Sequence, residues 1–258
     1  MMTLITVIFI SYLSGVSASS YGLGGLFNVA HGNAGAVFEN PALLPETRGS
    51  FVFGVRQNYF MSELTDVHAA FSKSFKKFSF GLGVHKSGIK DVVSEYTVLT
   101  GLGYRISNLS AGLSSRIFYL RNLEDTNLKR TALSMDFGLF YRFFIFDFSI
   151  SYLNILRPSL GFITTTEKSN SEFIMATSFK IPEPVTWSAG VNWSGSSLSY
   201  RLASELWFTR GFGLRIGILE RELRMGLALK AENYGVDISF GSSRELGTTY
   251  VITTHYRL

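Results

Sequence analysis

From Ser50 to Leu258, apolar and polar residues alternate in one short run after another, and that pattern excludes most folds. In Lys77 to Val84, Phe78, Phe80, Leu82 and Val84 fall on one side, while Lys77, Ser79, Gly81 and Gly83 fall on the other. The runs lie near 50–59, 64–74, 77–86, 95–106, 109–120, 130–143, 145–155, 172–181, 184–194, 197–208, 211–219, 222–231, 233–242 and 248–258. Each is about 9–12 residues, roughly what a tilted strand needs to cross a bilayer. A sheet of so many amphipathic strands must hide its edges, and closure does that completely. The expectation is an all-β fold, a closed antiparallel transmembrane β-barrel of about 14 strands over residues 50–258.

The two faces differ in chemistry. Trp187, Ala189, Val191 and Trp193 oppose Thr186, Ser188, Gly190 and Asn192. The polar face also carries full charges, Arg105, Asp136, Arg142, Asp147, Arg201, Glu205, Arg215 and Asp237, which suits a wet lumen with charges paired across the wall. Charged residues are only 17% of the chain, with 25 glycines, 23 phenylalanines and no cysteine. Stability must then come from the hydrogen-bonded barrel rather than from disulfides. The net charge of +5 shows no basic cluster with interleaved aromatics, so nucleic acid is not an expected partner.

Connection lengths add an orientation. Short links follow the even-numbered runs; the long ones, near 87–94, 121–129, 156–171 and 243–247, follow odd-numbered runs. Outer-membrane barrels have short periplasmic turns, so both termini are expected in the periplasm of a bacterial cell, with outer-membrane lipid around the wall. Aromatics such as Tyr59, Trp187, Trp207 and Tyr256 gather near strand ends, where headgroups lie. The last run, ending Tyr256-Arg-Leu258, resembles the C-terminal strand by which barrels engage the outer-membrane assembly machinery.

The beginning does not alternate. Leu4 to Ile10 is an apolar stretch of signal-peptide length, and Val16-Ser-Ala18 offers small residues for cleavage after Ala18. Residues 1–18 are expected to be a signal peptide, although no Lys or Arg precedes the apolar core. Residues 19–49 remain as a glycine-rich segment containing Gly35, Phe38, Asn40-Pro41-Ala42 and Leu44. This order resembles the N-terminal hatch of FadL-type hydrophobic-compound transporters and of the related PorV-like outer-membrane proteins. The resemblance implies a fourteen-stranded barrel with that segment plugging the lumen. It also implies a carrier or channel for small hydrophobic compounds, with a lateral exit near Gly81 and Gly83. Two other readings stand beside it: a non-transporting scaffold or secretion-system subunit bound to envelope proteins, as PorV-like proteins are, and a general diffusion porin. FadL-type transporters are much longer and carry large outer loops, a feature this chain lacks.

No catalytic set can be assembled. His31, His68, His85 and His255 are scattered without metal-ligand spacing, so neither enzyme activity nor a metal or cofactor is expected.

Overall fold

The computed structural model describes residues 15–26, 32–125, 127–159, 168–181, 184–243 and 245–258. Half of the wall is β1 (Ser50–Gln57), β2 (Thr65–Phe75), β3 (Phe78–Ile89), β4 (Val93–Ile106), β5 (Leu109–Asn122), β6 (Lys129–Phe143) and β7 (Phe146–Leu153). The other half is β8 (Glu172–Phe179), β9 (Val185–Ser194), β10 (Ser197–Trp207), β11 (Phe212–Leu219), β12 (Glu222–Ala231), β13 (Tyr234–Ser243) and β14 (Gly247–Arg257). Each strand pairs antiparallel with its sequence neighbours. β1 closes the ring on β14, from Ser50 opposite Arg257 to Gln57 opposite Tyr250.

Alternation sets the two faces as the sequence requires. Phe78 and Leu102 are 65% and 66% exposed on the outside, whereas Ser79 and Ser72 are buried inside. The outer face is a continuous apolar belt, far beyond the patch size a water-soluble surface carries, and hydrocarbon is the medium that covers it. Two-residue turns join several hairpins. They enter the left-handed region at Lys76, Ser107, Phe144, Glu220 and Glu232, all with φ between 45° and 54°, the backbone that twisted hairpins need.

Connection lengths differ from the expectation. The segment 87–94 is mostly ladder, not loop: Ser87 pairs with Glu95, Gly88 with Ser94 and Ile89 with Val93. These residues lack apolar alternation, yet backbone pairing continues past the apolar belt because hydrogen bonds do not need it. The longer intervals between the described strands are those between β1 and β2, β5 and β6, and β7 and β8, still all at the same end.

Among the described residues, two short helices lie inside the ring. Helix α1 (Ala18–Gly22) packs mainly on β12 and β13; α2 (Ala36–Glu39) leads into a 3-10 helix over Pro41–Thr47 that packs on β2 to β6. The protein core is the contact between this inner segment and the wall: Val37, Phe38, Leu43 and Leu44 against Val52, Ala70, Leu99 and Phe140. The lumen is therefore apolar on one side rather than wet throughout.

Candidate functional site

The inner segment fills the barrel through a specific local fold. Gly35 starts α2, with its N–H donating to Asn33 Oδ1 at 2.9 Å. Asn40 breaks the helix: it is extended, at φ −156° and ψ 104°, as expected for a residue before proline. Its Oδ1 accepts from Ala42 N–H at 3.0 Å and caps the 3-10 helix, and Pro41 sits at that helix's first position, where no N–H is needed. Its Nδ2 donates to the Ile150 carbonyl on β7 at 3.3 Å. One side chain thus shapes the plug and ties it to the wall. Ala42 and Leu44 are fully buried behind it.

The wall is cut to fit. A methyl group on Gly81 would stand 2.7 Å from Leu44, and one on Gly83 would stand 2.7 Å from Val37 and 2.9 Å from Phe38. On Gly103 it would meet Pro45 at 2.7 Å, and on Gly112 or Gly138 it would collide with Pro41 and Ala42 backbone or the Asn40 side chain. Adjacent strands therefore present a glycine floor because backbone must approach backbone there. Gly81 and Gly83 are lumen residues filled by Val37, Phe38 and Leu44. A side exit at β3 is not open in this structure: β3 is paired without a break to β2 from Phe78 to Lys86 and to β4 from Phe78 to Ile89.

The eight inward charges fall into four groups, and three of them hold the plug. Arg105 and Arg142 reach Glu46 at 3.1 and 3.6 Å, and Arg142 also pairs with Asp147 at 2.8 Å. Asp136 pairs with Arg116 at 2.8 Å, and Arg116 donates to the Phe38 carbonyl at 3.4 Å. Arg201 donates to the Gly25 carbonyl at 2.8 Å. The fourth group belongs to the wall, with Arg215 between Glu205 at 2.7 Å and Asp237 at 2.6 Å. Sequence reading missed Arg116 and Glu46. Arg116 shares the inward parity of Gly112 and Ser114, which was the available signal; Glu46 lies in a segment with no period to read.

The first piece of the plug, Gly15 to Leu26, occupies the opposite side. Ser17 caps α1, Ala18 N–H donates to Thr253 Oγ1 at 2.9 Å, and Ser239 Oγ donates to the Ala18 carbonyl at 2.6 Å. Arg224 stacks over the Tyr21 ring at 4.3 Å. The two pieces join where Ser20 Oγ donates to Glu39 Oε2 at 2.7 Å. Burial pushes the Glu39 carboxyl up to about 8, against the opposing pull of the Ser20 hydroxyl and of Arg201. Residues 1–14 of the expected signal peptide, and 27–31 between the plug pieces, lie outside the described residues.

A cavity of about 30 Å³ between Asn33, Trp207, Lys230 and His255 holds a water or two and no larger compound. At the long-loop end, a buried inner patch groups His68, His85, Ser87, Glu95 and Thr97, which sequence reading left apart. Among the described residues, no three His, Cys, Asp or Glu gather as a metal site.

No protein-family model and no curated protein matches the chain. Solved structures do. The toluene transporter TodX of P. putida superposes with a TM-score of 0.69 at 9% identity, over 96% of this chain and 99% of that one. A TodX monoaromatic hydrocarbon channel lacking S2 and S3 gives 0.68 at 9% identity, over 88% and 95%. At such identity the likeness is one of fold.

Proposed function

We propose that this protein is an outer-membrane channel of the FadL type that passes small hydrophobic compounds through a barrel gated by its own N-terminal segment. The observation that carries the reading is the fitted plug: Asn40-Pro41-Ala42 and its neighbours seated on a floor of wall glycines, inside a barrel of the TodX fold. A general porin has no use for a lumen sealed by close backbone contact.

In this reading the N-terminal apolar stretch directs export and both chain ends face the periplasm; the gate is residues 19–49 together with Gly15–Ala18, whose seat against Thr253 and Ser239 argues for cleavage before Gly15 rather than after Ala18. The unbroken β3 and the inner segment packed against it fit a closed state in this reading. Opening requires the plug to shift. Its polar ties at Glu46, Phe38 and Gly25 exchange readily for water, while its apolar side chains leave behind a path lined by Val52, Ala70, Leu99 and Phe140. Such a path favours an apolar passenger over a sugar or an ion.

Uptake tests the reading. Cells of a porin-poor host expressing the protein should accumulate a labelled monoaromatic such as toluene faster than cells with an empty vector, with no gain for a labelled disaccharide. Equal gain for both would indicate a general pore. No gain for either, together with co-purifying envelope proteins, would indicate a scaffold.

A further inference from the structure

The exposed charges are not spread evenly over the two ends of the barrel. At the long-loop end, acids and bases interleave: Asp91 follows Lys90, Arg221 follows Glu220, and Glu124 and Asp125 share a loop that ends at Lys129. At the short-turn end the exposed basic side chains are Arg48, Lys76, Lys77, Lys180, Arg210 and Arg257. The only exposed carboxylate side chain there among the described residues is Glu232. The other carboxylates described at that rim, Glu46 and Asp147, turn inward and are matched by Arg105 and Arg142. The basic side chains come from β2–β3, β8–β9, β10–β11 and the β1/β14 seam, so they ring the barrel rather than form one spot.

The same rim carries an aromatic belt. Phe78 contacts Tyr104 at 4.6 Å, and Tyr234 contacts Tyr256 at 4.7 Å. Phe144 stands at the tip of the β6–β7 turn, 85% exposed and at φ 52°, a backbone that bulky residues avoid. An exposed aromatic held at the tip of a turn is placed for the boundary between water and lipid, where rings of this kind settle. Cations just beyond an aromatic belt lie at phosphate level.

We propose that the short-turn rim is a collar for anionic phospholipid headgroups. Lipid phosphates would sit at separate points of the ring, one against Lys180 and Arg210 and another against Lys76 and Lys77, with their acyl chains along the aromatic belt. The collar anchors that end in a phospholipid leaflet and gives the barrel an orientation that does not depend on loop length. The inference rests on the transmembrane fold alone, not on transport, so it stands or falls separately from the channel reading.

Tryptophan quenching by brominated lipid tests it. Trp187 faces outward at the start of β9, beside Phe179 and close to Lys180. In a Trp193→Phe, Trp207→Phe background, which leaves Trp187 as the single tryptophan, the purified full-length protein is reconstituted in mixed bilayers with brominated phosphatidylglycerol or brominated phosphatidylcholine at equal mole fraction. Phosphatidylglycerol should quench Trp187 more strongly, with a relative affinity that falls about fivefold for each neighbouring cation removed. The preference should shrink in high salt. It should vanish when Lys180 and Arg210, the cations nearest Trp187, are changed to Gln, and persist when the far-side Lys76 and Lys77 are, in variants whose barrels migrate as folded in unheated gels. Equal quenching by the two lipids, or a preference that survives the Lys180 and Arg210 substitutions, would overturn the collar.

Discussion

Gly112 carries the tightest demand in the lumen. A methyl there would collide with the Pro41 and Ala42 backbone, which unlike a side chain cannot swing away. Gly112→Val should therefore leave the barrel folded, since β5 tolerates valine, but force the 3-10 helix off the wall. The expected outcome is faster protease cleavage within residues 32–49 and a rise in leak current over the parent protein. Glu39 gives a second prediction. Docked, its carboxyl stays neutral up to about pH 8; once the plug leaves the wall and the group is solvated, it ionises near 4.5. The docked form then holds more protons between those values, so docking is strongest below about 4.5 and weakens as pH rises to 8. The slope is about tenfold in the docking constant per pH unit, and it ends above 8. Open probability in planar bilayers should follow that curve, and Glu39→Gln should flatten it.

At the scale of elements, the plug and strands β3 to β5 form one packed unit. The plug must part from them if the channel opens. The chain has no cysteine, so an introduced pair makes the only disulfide. Val37→Cys with Gly83→Cys joins α2 to β3 where the side chain and the built methyl position are already 2.7 Å apart. Oxidised, this variant should lose transport; after reduction it should recover most of it, read as uptake of a labelled monoaromatic with and without dithiothreitol. The strands themselves were legible because period-two alternation is a local property, and most boundaries fall within two or three residues of the runs read from sequence. The turn after β3 was not legible, since Ser87, Gly88 and Ser94 pair through backbone groups that leave no apolar trace. The glycines pointed to a close approach from inside. Which segment approaches which strand was not readable: Glu46 finds Arg105 and Arg142 across more than fifty residues of chain, and no spacing records that.

For the whole molecule, the wall and its occupant are separate layers of stability. The wall is closed by an unbroken ring of backbone pairing and by the buried Arg215 bridge between Glu205 and Asp237. The occupant is held by small apolar contacts and exchangeable polar ties. A barrel built this way can keep its shape while its contents move, which a gate requires. The most direct measurement is single-channel recording of the purified protein in planar bilayers, with and without residues 19–49. A plugged barrel should give small or absent steady conductance when intact and a large, constant conductance once the segment is deleted. Large, constant conductance from the intact protein would contradict the plug.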